Sequence, residues 1–211
     1  MALKNTSLEL CTTRQTTCPL FISQWPVGLE DLYLSDAGSC FSHNTADNYM
    51  LFVLDGKITL TFCQYQNKPF EAGDMYFIPR NMDFRGKVIE SAHLVLLKYN
   101  NVKFPCLEER IRRLIDKKAE GSYNWDKVRI KEEMRRIIED LLHYREYGLS
   151  CSHIYIVKAQ EIFLILKHFY TDEERIRFNY PFIGYNPDFT ESVITNYMHT
   201  KTAEELAACL G

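Results

Sequence analysis

Near residue 106 the hydrophobic pattern of this 211-residue chain changes period, from alternation along short runs to recurrence every three or four residues. Strand and helix patterns cannot substitute for each other, so the sequence predicts an α+β protein with strands first and helices after. Before the change, residues 19–23, 31–35, 49–54, 57–63, 75–78 and 92–99 form short runs rich in β-branched or aromatic residues, divided by turn residues. Six such runs imply a sandwich or barrel. Asp55-Gly56 between two of them reads as a two-residue type I′ turn, so residues 49–54 and 57–63 are expected to pair as a hairpin.

After the change, helices are expected over residues 107–118, 126–147 and 152–170, the second capped by Asp126 and closed by Gly148. Ile130, Met134, Ile137, Leu141 and Tyr144 alternate spacings of four and three, and Tyr155, Ala159, Ile162, Leu166 and Phe169 do the same. Two such seams joined at Gly148 predict an antiparallel, coiled-coil-like helical hairpin. Ile138, Leu142, Phe163 and Ile165 widen the stripes, which leaves apolar surface for the barrel or for another chain. Residues 171–187, charged at Asp172-Glu173-Glu174-Arg175 and interrupted by Pro181, Gly184 and Pro187, read as an interdomain linker. Thr202-Ala203-Glu204-Glu205 is a capping box that opens a last helix with Leu206, Ala207 and Leu210 on its apolar side. An amphipathic helix through Phe189, Val193 and Tyr197 precedes it, the order of a helix-turn-helix unit cut before its recognition helix.

Composition narrows the class. With 46% hydrophobic residues the chain can build an ordinary core, and no run approaches the roughly 18 apolar residues of a membrane span. The first residues lack the apolar stretch of a secretory leader, so a cytoplasmic location and no membrane partner are expected. The seven cysteines are scattered without a Cys-x-x-Cys pair, which suggests neither a disulfide framework nor a zinc site. Within residues 188–211 Lys201 is the one cation against Asp188, Glu191, Glu204 and Glu205. Either the phosphate-contacting residues lie in a further segment, or the chain does not bind DNA. Phosphate-binding glycine loops are absent and the histidines are dispersed, so nothing nominates a nucleophile.

Lys201-Thr202-x-x-Glu205-Leu206-Ala207-x-x-Leu210-Gly211, after a helix ending near Asn196-Tyr197, resembles the first helix-turn-helix unit of the AraC family of bacterial transcription regulators. The resemblance implies an effector-sensing barrel over residues 1–106, a dimerisation region over 107–170, a linker over 171–187 and the start of a DNA-binding domain over 188–211. It implies a homodimer, with the seam of Tyr155, Ala159, Ile162, Leu166 and Phe169 as its interface. It also implies a small organic effector, a sugar among the options, and contact with promoter DNA through the full-length regulator.

Residues 43–56 and Gly73-Asp74-Met75-Tyr76-Phe77-Ile78-Pro79 resemble the two motifs of the cupin β-barrel. Counted from Gly56, His43 holds the first histidine position, Thr45 the second and Tyr49 the glutamate position; counted from Pro79, Phe84 holds the last histidine position. One histidine beside Thr, Tyr and Phe does not make a cage for a divalent ion, so no metal, no cofactor and no enzymatic activity are expected. The same positions suit an organic ligand, with His43, Thr45, Tyr49, Arg80, Phe84, Trp25 and Tyr33 as candidate contacts. Arg80 either holds an anion with its planar fork or pairs with Asp74 or Asp83, and Tyr33 and Tyr49 fit equally as core or rim residues. A second reading is a cupin isomerase or dioxygenase with shifted metal ligands, or with none.

Overall fold

The computed structural model describes residues 27–44, 47–62, 65–80, 83–99, 126–149 and 151–184, together with Thr202 and Glu204. The strands are β1 (Val27–Leu34), β2 (Cys40–Asn44), β3 (Asn48–Phe62), β4 (Tyr65–Glu71), β5 (Asp74–Ile78), β6 (Asp83–Tyr99) and β7 (Val128–Arg129). The helices are α1 (Glu132–Glu146), α2 (Ser152–Phe169) and α3 (Asp172–Gly184). All strand pairings are antiparallel. The expected strand at 19–23, the helix at 107–118 and nearly all of the helix-turn-helix stub lie outside the described residues.

The hairpin expected at Asp55-Gly56 does not form. Strand β3, of 15 residues, runs straight through it, and both of its halves pair with the 17-residue β6, with register shifts between Val53 and Ile58. A type I′ turn needs positive φ at both central residues, but here only Gly56 has it, at 76°. That single left-handed residue creases the strand instead of reversing it. Flanking elements bend at the same line. Strands β1 and β2 pair with different halves of β6, and β5 and β4 with different halves of β3. Gly38 N–H donates to the Val88 carbonyl at 2.8 Å, and Gly73 N–H donates to the Val53 carbonyl at 2.8 Å, closing the two flanking corners. One sheet is thereby doubled over into two facing layers.

Side-chain alternation then sorts the apolar residues into two clusters. Tyr49, Leu51, Val53, Tyr76 and Leu94 from one layer face Ile58, Leu60, Phe62 and Phe70 from the other. Tyr76 closes the interior between the layers, its ring 5.1 Å from Phe62 and 5.2 Å from Phe70. On the outside of the first layer, Met50, Phe52, Met75, Phe77, Val95 and Leu97 are covered by the helices.

That cover departs from three expectations. Tyr155, Ala159, Ile162 and Leu166, read as a dimer seam, are buried in the chain's own core, and Phe169 is half exposed. The sheet's outer face supplies the partner that the seam needed, and α2 leaves Val157 and Leu164 exposed on its other side. Asp126 caps no helix: Val128 and Arg129 pair with Met75 and Asp74 as β7, and α1 starts only at Glu132. Residues 172–184, expected as linker, form α3. Thr171 and Glu174 make a reciprocal capping box, Glu174 N–H donating to Thr171 Oγ1 at 3.2 Å and Thr171 N–H to Glu174 Oε2 at 2.7 Å. Ile176 and Phe178 then bury the helix against the sheet.

Polar contacts fasten these pieces. The Asp74 carboxylate is buried and accepts from Lys127 Nζ at 2.6 Å, Arg129 NH1 at 2.7 Å and the Glu71 amide at 3.0 Å, tying β7 to β5. Lys131 Nζ donates to Glu174 Oε2 at 2.8 Å, and the Lys131 amide donates to Tyr170 Oη at 3.0 Å. Burial pushes the Tyr170 phenol up to about 12. Partial burial raises the Glu174 carboxyl, but the Lys131 ammonium and the Thr171 amide outweigh it and hold the group below its ordinary value.

Two outcomes follow for stability. A Cβ at Gly56 would stand 1.9 Å from the Ser91 carbonyl oxygen, whereas one at Gly148, with a similar φ of 80°, meets nothing within 4 Å. In urea denaturation Gly56→Ala should cost about 3 kcal/mol or more and Gly148→Ala about 1 kcal/mol. Because the folded carboxyl of Glu174 titrates below the unfolded one, its contribution is full above roughly pH 5 and fades as pH falls through the folded value. The stability gap between the native chain and Glu174→Gln, followed by denaturation, should therefore be largest near neutrality and shrink below about pH 4.

Candidate functional site

Creasing a sheet along one line closes that side and leaves the opposite ends of the two layers facing each other. Register places Gly28, Lys98, Tyr49 and Ile78 in one row at the end away from the crease, across β1, β6, β3 and β5. The second layer brings Phe62 and Phe84 as a cross-strand pair, with the backbone of His43 opposite Phe84 on β2. Phe84 is buried in the interior cluster and meets the ring of Phe41 edge-on at 6.5 Å.

Tyr49 is 6% exposed, and its hydroxyl donates to Glu30 Oε1 at 3.2 Å. Burial first, and then the negative charge of Glu30, push the phenol far above its ordinary value, so it stays a neutral donor at physiological pH. Lys98 Nζ pairs with Asp47 Oδ2 at 2.7 Å, both half-buried. Arg80 follows Pro79 at the end of β5, and its backbone N–H donates to Asn48 Oδ1 at 2.9 Å. A short run of charged and hydroxyl groups thus rims an interior that is apolar deeper in, where Leu51, Leu96 and Tyr76 stand.

Of the residues proposed from sequence, Tyr49 and Phe84 come to this end, with the backbones of Arg80 and His43. Trp25, Thr45 and the side chain of His43 lie outside the described residues. Tyr33 sits elsewhere. It alternates with Leu32 and Leu34, which take the interior side, so it emerges on the outer face, 71% exposed and stacked on His93 at 4.1 Å. There His93 Nε2 meets Asp31 Oδ1 at 2.6 Å. Glu30, Asp47 and Lys98 were not read from the sequence. Parity carries the missing signal: Glu30 and Lys98 continue the interior-facing series of Leu32 and of Leu94 and Leu96.

Two residues at the cupin ligand positions can be tested against a metal ion. Phe84 offers no donor atom, and Tyr49 is a protonated phenol committed to Glu30, so neither fits a divalent cation. Among the described residues no three His, Cys, Asp or Glu side chains are grouped as a metal site.

No protein-family model matches the chain, and no curated protein matches it. Similar solved structures include an RmlC-like cupin with a double-stranded β-helix fold from Methanocaldococcus jannaschii, at 18% identity and a TM-score of 0.34, covering 37% of this chain and 74% of that one. A cupin superfamily protein from Desulfitobacterium hafniense gives 11% identity and a TM-score of 0.34, over 38% and 73% of the two chains. A mutant oxalate decarboxylase from Bacillus subtilis gives 14% identity and a TM-score of 0.31, over 39% and 23%. The overlaps are loose and cover little more than a third of this chain; the site described above stands on strand register and side-chain contacts alone.

Removing the Tyr49 hydroxyl takes a donor from a part-buried carboxylate. Tyr49→Phe should lower unfolding free energy by about 1 kcal/mol in urea denaturation, whereas Tyr33→Phe, on the exposed outer face, should stay within about 0.5 kcal/mol of the native chain.

Proposed function

We propose that this chain is the effector-sensing region of an AraC-type transcription regulator, a cupin-like barrel whose helices carry the ligand state toward a DNA-binding domain. The observation that carries the proposal is the position of β5. Its Tyr76 and Ile78 belong to the interior cluster, while Met75 and Phe77 belong to the outer one. Phe77 meets Phe178 of α3 at 6.1 Å, and the Tyr170 hydroxyl, just ahead of α3, lies 3.8 Å from Met75 Sδ. One strand therefore has residues of the candidate ligand site on one side and, on the other, α3, which precedes the AraC-like segment in sequence.

Such a strand can couple two sites without any long pathway. A ligand at the open end that favours one setting of β5 over another shifts the population of that setting, and α3 follows because it packs on the same residues. The effect is limited by the ligand's differential affinity for the two settings. Promoter DNA is met only through the full-length protein, since residues 188–211 carry one Lys against four carboxylates. The enzyme alternative calls for a bound metal or for titratable groups concentrated in the barrel.

Native mass spectrometry of the purified chain separates these readings. A metal-free dimer, with or without a few hundred daltons of retained organic mass, is the expected spectrum. A monomer that carries one transition-metal ion overturns the sensor reading and puts a cupin enzyme in its place.

A further inference from the structure

The two most exposed large apolar side chains among the described residues are both tyrosines, Tyr147 at 77% and Tyr33 at 71%, and each lies against a histidine. Tyr33 stacks on His93 with 16° between the ring planes, which covers one face of the phenol and leaves the other open. His93 is itself held by Asp31 at 2.6 Å, so the ring stands on a fixed base. Tyr147 lies 4.6 Å from His143 one turn back along α1. A ring already held in place loses little freedom when a partner covers it, which suits tyrosine to anchoring an interface.

Glu146 links the two tyrosines. It directly precedes Tyr147 at the exposed end of α1. Partial burial first, and then the carboxylates of Asp31 and Glu146, raise the Tyr33 phenol above its ordinary value. Asp55, also exposed, stands opposite His93 in register on β3. His143 and Arg145 share the last turn of α1, but the field at the Tyr33 hydroxyl is set by the two carboxylates. A carboxylate at a helix C-terminus also adds to the negative end of the helix dipole, so a cation brought to Glu146 is favoured by both.

From this juxtaposition we infer that the outer corner between the end of β1 and the end of α1 docks an arginine-bearing segment of a partner protein, its guanidinium stacked on the open face of Tyr33 and paired with Glu146. Arginine fits better than lysine because its planar, weakly hydrated fork stacks on a ring and grips a carboxylate at once. Nucleic acids and anionic membranes present phosphates, which these carboxylates repel. The corner lies outside the barrel interior, so the inference holds or fails independently of the sensor reading.

Amide shifts of the isotope-labelled full chain, followed during titration with capped peptides of paired arginines, paired lysines or paired glutamates between glycines, test the docking site. Shifts should centre on Tyr33, His93, Glu146 and Tyr147, with the arginine peptide binding about threefold or more tightly than the lysine one. Glu146→Gln and Tyr33→Leu should each weaken the arginine peptide about threefold. Glu132→Gln, which neutralises an exposed carboxylate at the other end of α1, should leave its affinity unchanged. The same spectra report whether each variant is folded, and if Tyr33→Leu is not, Glu146→Gln decides alone. An equal response to the glutamate peptide, shifts spread evenly over the surface, indifference to the substitutions, or no response at about 10 mM overturns the inference. Shifts at the corner that follow protein concentration without peptide assign it to a second copy of this chain and overturn it too, as does an oligonucleotide that moves the same residues.

Discussion

The rest of the structure depends on a single close approach: at Gly56 the backbone of β3 lies so near Ser91 and Ala92 of β6 that no side chain fits between them. Because the two longest strands are creased together there, the two layers share continuous strands, and chain geometry itself sets their facing residues opposite each other. The interior rings of Phe62, Phe70 and Tyr76 then fill a space that the crease has already defined. The far end of the layers is the geometric complement of the crease, which is why residues from four strands converge there although β1 and β5 do not pair with each other.

Asp74 performs a second kind of fastening. A buried carboxylate is costly unless its charge is met, and here it is met by two cations from a segment about fifty residues further along the chain. The ion pairs select where residues 127–130 return to the sheet, and Arg129 also donates to the Ala72 carbonyl at 3.0 Å. Removing either cation alone leaves part of the charge unmet, so the three residues act as one unit. From β7 the chain passes directly into α1, and the placement of the helical layer follows from that register.

Much of the architecture was legible in the sequence, for identifiable reasons. The change of period separated strands from helices, and the four-three spacings marked Met134, Ile137 and Leu141 of α1 and Tyr155, Ala159, Ile162 and Leu166 of α2, which are buried, together with Tyr144 and Phe169, which are not. What those residues face was not legible, because a spacing shows that a stripe needs covering and not what covers it; the sheet turned out to do so. Asp55-Gly56 misled because turn chemistry and crease chemistry use the same glycine, and only the φ of its neighbour distinguishes them. Residues 171–187 were read through Pro181 and Gly184, although Thr171-Asp172-Glu173-Glu174 repeats the Thr-x-x-Glu pattern recognised at Thr202. At the candidate site, Tyr49, Arg80 and Phe84 were reachable through a motif, whereas Glu30 and Lys98 needed strand register, which long-range pairing alone decides.

The outer apolar cluster has a further meaning for how this chain can be divided. Met50, Phe52, Met75, Phe77, Val95 and Leu97 on the sheet share one core with residues from all three helices. A cut near residue 106, where the sequence pattern changes, would therefore split a core and not a linker. The strands would keep their own interior but lose the lid of their outer face, and the helices would lose the surface that orders them. Sheet and helices therefore fold as one module, and any division of the chain that keeps this core whole has to keep residues 27–99 together with residues 126–184.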